Sequence, residues 1–170
     1  MRKGFSLLEM LVVMSVLIVL TSTLLLYNRT GERQLIILRE KARLLGAIVQ
    51  AKAYAVNTLV DAAPACGYGV HIDPAAGTYF LYRDRAINCR TSDHIYGAAS
   101  DEIVRGSENT LAIGFAFGDH TLSDIVFVPP DPSVYLNGGS VIRESVIMIR
   151  SADGSAQGIV TITDAGQISG

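Results

Sequence analysis

Apolar side chains are spread unevenly along the chain, and the spacing between them changes character twice. From Phe5 to Tyr27 the run is nearly unbroken, and Glu9 is its one side chain charged at neutral pH. As a helix this stretch extends about 35 Å, enough to cross the hydrocarbon of a bilayer. Gly31 then interrupts helix propensity, so a bend or local melting is expected there. A second helical pattern begins near Glu32. Leu38, Ala42, Leu45, Val49, Ala53, Val56 and Val60 recur at spacings of four and three, which predicts one apolar stripe packed on the rest of the protein. Asp61 to Pro64 ends that helix, because proline disfavours continuation.

Beyond Pro64 the pattern shortens to β-rich runs separated by Gly, Pro, Asn and Asp. Strands are expected over Tyr68–Asp73, Thr78–Asp84, Leu111–Phe117, Asp124–Val128, Ser145–Arg150 and Gly158–Thr163. Pro74 to Gly77 reads as a hairpin loop, and Asp164-Ala165-Gly166 turns the chain back through Gln167–Ser169. The expected class is therefore α+β: a long N-terminal helix, half apolar and half amphipathic, packed on a mainly antiparallel head.

Composition sharpens this division. The hydrophobic content of 49% is high for a soluble chain, and its excess lies between Phe5 and Tyr27. The formal charge of −2 conceals a basic stem: residues 28–52 hold six Arg or Lys against Glu32 and Glu40, or 6 − 2 = +4. From residue 53 onward six Arg face thirteen acids, giving 6 − 13 = −7, which repels phosphate backbones in general. Arg2 and Lys3 precede the apolar run and favour retention of that end in the cytoplasm, placing the head outside. In an exported head, Cys66 and Cys89 are free to form a disulfide; two unpaired buried thiols are the alternative.

A secretory signal has a shorter apolar region and a small-residue cleavage site, whereas this run continues into a helical pattern. A plain signal anchor is long enough, but it does not account for Glu9, whose burial in lipid costs about 2.5 to 3.5 kcal/mol on insertion scales. Lys3-Gly4-Phe5-Ser6-Leu7-Leu8-Glu9 followed by an apolar run resembles the processing site of type IV prepilins and type II secretion pseudopilins. The resemblance implies cleavage by a prepilin peptidase between Gly4 and Phe5 and N-methylation of the new Phe5 amine. Physical chemistry agrees with it. Gly4 presents no side chain to a peptidase, and cutting there removes Arg2 and Lys3 from the membrane helix. The cationic amine of Phe5 on one subunit can neutralise Glu9 of another, so Glu9 favours assembly.

That resemblance implies a pilin-like lollipop with a leader (1–4), a membrane and filament-core helix (5–27), an amphipathic stem (28–63) and a β-rich head (64–170). Cys66-Gly67-Tyr68-Gly69-Val70, Phe127-Val128-Pro129-Pro130-Asp131 and the terminal Ile159–Ile168 pattern are similar to the GspH/FimT group of minor pilins. The implied partners are the prepilin peptidase, other pilin or pseudopilin subunits, an inner-membrane assembly platform, and lipid before assembly. The implied place is the inner membrane, then a pilus or pseudopilus.

Other candidate chemistry is thin. Gly67-Tyr68-Gly69 lacks the third glycine and following helix of a phosphate loop. His71, His94 and His120 lack close metal-ligand spacing and read as surface or hydrogen-bonded histidines. Ser151-Ala152-Asp153-Gly154-Ser155 offers one carboxylate and reads as a turn rather than a calcium loop. No compact nucleophile-and-base signature is present, so the chain reads as an enzyme's substrate, with no metal or cofactor expected.

Arg83, Arg85 and Arg90, with Tyr79 and Tyr82 nearby, are the candidate patch for single-stranded nucleic acid. The alternative is that these arginines pair with Asp84 or Asp93 on a solvated strand end. The FimT-like pattern of basic residues near the C-terminus is missing from Gly166-Gln167-Ile168-Ser169-Gly170. The leading reading is a structural minor pilin or pseudopilin. Its alternatives are a DNA-binding minor pilin of a competence pilus and a membrane-anchored binding protein that never polymerises.

Overall fold

A computed structural model of the chain describes residues 6–57, 65–119, 122–130, 133–140, 144–163 and 166–170. Ser6 opens the first helix, accepting backbone hydrogen bonds from Glu9 and Met10 at 3.0 and 3.2 Å. Helix α1 (Leu7–Asn57) then runs without interruption for 51 residues, about 77 Å. The helix continues through Gly31, so the local melting expected there is absent. One glycine costs only about 1 kcal/mol, which the helix formers on either side outweigh. The expected end at Asp61–Pro64 lies outside the described residues.

The second half of α1 carries the head, but not on the stripe its spacing predicted. Ile37, Leu44, Ala47, Ile48, Ala51 and Ala55 face the core, while Leu38, Ala42, Val49, Ala53 and Val56 are exposed, Leu45 is half-buried and Val60 lies outside the described residues. Two apolar stripes run side by side on this helix, and both satisfy the helical period. Periodicity identifies a stripe without saying which one the head covers. The exposed stripe is the part of the stem that this chain leaves without a covering of its own.

Eleven strands follow among the described residues, all paired antiparallel. One sheet contains β1 (Gly67–Asp73), β2 (Thr78–Asp84), β3 (Glu102–Ile103), β4 (Asn109–Thr110), β6 (Asp124–Val128), β7 (Ser133–Leu136) and β8 (Gly139–Ser140). Its order is β3-β2-β1-β6-β7-β8, with β4 also pairing with β2. The other sheet takes β5 (Phe115–Phe117), β9 (Ser145–Ser151), β10 (Gln157–Ile162) and β11 (Ile168–Ser169) in the order β11-β10-β9-β5. Helix α1 packs on strands of both sheets, so one core joins them: Ile48, Val70, Ile72, Leu81, Ile125 and Phe127 meet Ile147, Ile149, Val160 and Ile162.

The Pro74–Gly77 loop does join β1 to β2. Asp73 Oδ1 accepts from the amides of Ala75 and Ala76 at 2.9 and 3.0 Å, and Gly77 closes the turn at φ +66°. The expected strand over Leu111–Phe117 is shorter than its sequence implied. Gly114 adopts φ +84° in a turn closed by Phe115 N–H to Ala112 C=O, and there the chain passes from one sheet to the other. The β7–β8 hairpin was not anticipated. Its signal is Asn137-Gly138, whose positive φ values of 48° and 76° suit a two-residue hairpin turn between Leu136 and Gly139.

Candidate functional site

Gly4 and Phe5, the expected cleavage junction and methylated residue, lie outside the described residues; the described chain begins at Ser6. Glu9 sits in the first turn of α1, where unpaired backbone N–H groups favour a negative charge. It is exposed, as is the rest of Leu7–Leu24, a segment of mean hydropathy 2.3 with none of its residues buried by the head. An apolar surface of this size on every side of a helix is unstable in water.

The hydroxyls within this segment do not oppose transfer into lipid. Ser15 donates to the Val12 carbonyl at 2.8 Å, Thr21 to Leu17 at 2.7 Å, Ser22 to Val19 at 2.8 Å, and Thr23 to Leu20 at 2.9 Å. Each of these hydroxyls is thus satisfied within the helix, the condition a hydrocarbon environment imposes. Glu9 is the one charge in the segment that nothing in the chain neutralises among the described residues.

At the far end of the head, Cys66 and Cys89 are joined with Sγ–Sγ 2.01 Å and Cα–Cα 5.0 Å. The bond ties the start of β1 to the loop after β2. Two buried carboxylates fasten the same loop. Asp84 accepts from Ser92 Oγ at 2.8 Å and lies 2.7 Å from His94 Nδ1; Asp124 lies 2.9 Å from His71 Nδ1 and accepts from the Tyr96 amide at 3.1 Å. Burial, then Asp124 and Asp84, push the Tyr82 phenol up, so it stays protonated beside them. His71 and His94 are therefore hydrogen-bonded histidines, and His120 lies outside the described residues. The pairs His71–Asp124 and Asp84–His94 were missed from sequence because separations of 53 and 10 residues leave no local spacing.

The candidate nucleic-acid patch is only partly assembled. Arg83 and Arg85 both reach Glu102, at 3.6 and 3.4 Å, rather than Asp84 or Asp93. Asp84 is unable to serve because it is buried against His94 and Ser92. Arg83 also lies over the Tyr68 ring, 5.5 Å from its centroid. Arg90 is exposed in the short turn Cys89–Thr91. Tyr79 and Tyr82 are both core residues and offer no stacking surface. Burial, and next the charge of Glu40, push the Tyr79 phenol to about 12.

Ser151 to Ser155 forms a turn in which Asp153 Oδ1 accepts from both serine hydroxyls at 2.8 Å, and Arg33 pairs with the same carboxylate. Among the described residues no group of three metal-ligating side chains converges.

Residues 1–25 match the family model for the prokaryotic N-terminal methylation motif. No curated protein and no solved structure matches the chain significantly. Joined to the exposed apolar helix and the antiparallel head, the motif supports a type IV pilin-like precursor that is a substrate of prepilin peptidase. Anchoring in the inner membrane followed by assembly with other pilins is consistent with both.

Proposed function

We propose that this protein is a minor pilin or pseudopilin of the GspH/FimT kind, a structural subunit of a type IV pilus or type II secretion pseudopilus. It is inserted with its N-terminus in the cytoplasm, cut after Gly4, and methylated on Phe5. The cut separates a four-residue leader from the filament-core helix, amphipathic stem and disulfide-closed head. The observation that carries this reading is the helix: an apolar half with no cover of its own, bearing Glu9, continues without a break into a stem that the head covers on one stripe only.

That arrangement suits helices that trade lipid for one another. In lipid Glu9 is unpaired; among neighbouring subunits it meets the Phe5 amine, and the exposed stripe of Leu38, Val49 and Val56 finds apolar partners. The assembly platform supplies the work of extraction, and the head sets which neighbours fit. For nucleic acid no comparable support exists, since the two tyrosines are buried and two of the three arginines already share Glu102.

The test is intact mass and N-terminal sequencing of the full chain expressed with a prepilin peptidase, beside a Gly4→Arg variant. The expected product begins with N-methylated Phe5 and is absent from the variant. A wild-type chain that stays full length beside an active peptidase would overturn the reading and leave a plain signal anchor.

A further inference from the structure

Two isoleucines of the head are wholly exposed, Ile87 at 110% and Ile113 at 103%. Single exposed apolar residues are ordinary on protein surfaces, so exposure alone argues nothing. Their placement differs. Ile87 lies in the loop closed by Cys89, beside the end of β2 that pairs with Gly67, near the C-terminal end of the stem. Ile113 lies at the opposite end, where the turn 112–115 faces the stem across a cleft of about 410 Å³ lined by Glu32, Arg33, Ile36, Phe115 and Asp153.

The unbroken helix fixes the height of that cleft above a membrane. Glu32 to Ile36 follow Tyr27, the last residue of the apolar run, by five to nine residues, or about 8 to 14 Å along the helix. The headgroup layer on one side of a bilayer is about 5 to 8 Å deep. Membrane helices tilt by about 20° on average, which lowers one side of the head toward that layer.

The Arg33–Asp153 pair and the Arg33 Nη1 to Ser155 hydrogen bond at 3.1 Å hold this end of the head to the stem. The Ala152 amide donates to the Gly114 carbonyl at 2.8 Å, so the turn 112–115 also has a set position relative to the anchor. Its apolar company is Leu35, 69% exposed on the adjoining helical turn, and half-buried Ile36 and Phe115.

We propose that the turn 112–115 is a lipid-contacting rim: before assembly, Ile113 enters the headgroup layer of the same bilayer that holds Leu7–Leu24. This rests on the membrane-anchored reading above. The rim gives the unassembled subunit a second point of membrane contact, so the head leans to one side instead of turning freely about its helix. Assembly must break that contact, and it presents the head to the filament in one orientation.

The chain contains no tryptophan, so a single introduced one reports its own surroundings. The full chain is reconstituted in phosphatidylcholine vesicles with a minority of phosphatidylglycerol, with and without dibrominated acyl chains, as Ile113→Trp, Ile87→Trp or Leu20→Trp. The expected result is emission from Leu20→Trp and Ile113→Trp that is blue-shifted and lost to brominated lipid, with Ile87→Trp unquenched and water-like. Quenching at Leu20 but not at Ile113 would overturn the rim and leave the anchor standing. Equal quenching at Ile87 and Ile113 would mean that the head lies down without orientation, which also overturns it. No quenching at Leu20 would remove the anchored reading itself. Both head positions are fully exposed, so neither substitution disturbs the core.

Discussion

The two halves of α1 are built from similar apolar residues and live in opposite surroundings. Along Leu7–Leu24 none of the side chains is buried by the rest of the chain; from Ile37 to Ala55 one stripe is sealed against two sheets. The second half draws its stability from the head, at roughly 25 cal/mol for each Å² of apolar surface removed from water. The first half can draw none from within the molecule. Its stability must come from lipid or from other helices, and Glu9 is the residue for which those two environments differ most.

The largest effect that would break this contrast is at Glu9. Its charge disfavours lipid by about 2.5 to 3.5 kcal/mol on insertion scales, roughly a hundredfold bias or more toward any state that pairs it. Glu9→Leu is expected to insert and be processed normally yet lose filament formation, measured by sedimentation of sheared filaments from cells. Undiminished assembly would show that the first half behaves as a plain apolar anchor.

A second pair of substitutions sharpens the contrast within the stem. Ile48 is fully buried and Val49, its neighbour, is 52% exposed. Ile48→Ala is expected to cost about 2 to 5 kcal/mol in urea unfolding of the full chain in detergent. Val49→Ala should stay within about 0.5 kcal/mol of wild type but weaken assembly. If Val49→Ala leaves filaments unchanged, the exposed stripe is not a subunit contact.

The disulfide is the next effect in size. Closing a loop across 23 residues stabilises by roughly 3 kcal/mol in the chain-entropy account, so replacing Cys66 and Cys89 together with alanine should lower head stability by about that much. Mass spectrometry after alkylation checks the premise, since neither thiol should label without reductant.

Alkaline pH probes the contact between stem and head at Tyr79. Its phenol, ordinarily near 10, is held up to about 12 by burial and then by Glu40. Between those values the unfolded chain has released the proton and the folded chain has kept it, so stability falls as pH rises through the window. Tyr79→Phe should make that fall shallower, read from urea midpoints at either end of the window. An unchanged slope would mean that Tyr79 is not the group responsible.

How much of this was legible in the sequence follows from how local each signal is. The apolar run, Glu9 and the strands Thr78–Asp84 and Asp124–Val128 are written in consecutive residues, and β2 and β6 occupy those two spans. The buried stripe of the stem was misassigned because Ile37, Leu44 and Ile48 share the helical period with Leu38, Leu45 and Val49. Only the head, folded from residues far along the chain, decides between them. The Asn137-Gly138 hairpin has a local turn signal, but the strands it joins, Ser133–Leu136 and Gly139–Ser140, are too short to show an alternating pattern. The Asp84–His94 and Asp124–His71 pairs were not legible, since the first depends on the loop after β2 folding back and the second on β1 pairing with β6, far along the chain.

The smallest predicted effect bears on where the two halves of α1 meet. Gly31 is expected from sequence to bend or locally melt the helix, yet the helix passes through it, and a Cβ added there would meet nothing within 4 Å. Gly31→Ala should therefore stabilise the helix by up to about 1 kcal/mol, and Gly46→Ala, equally unobstructed but within the stem, should do the same. Helicity in detergent measures the gain. If the two halves act as one rod, both variants assemble as wild type does. If instead assembly fails in Gly31→Ala alone, the glycine serves a helix that opens on leaving the bilayer, and the halves are joined by a hinge that the continuous helix conceals.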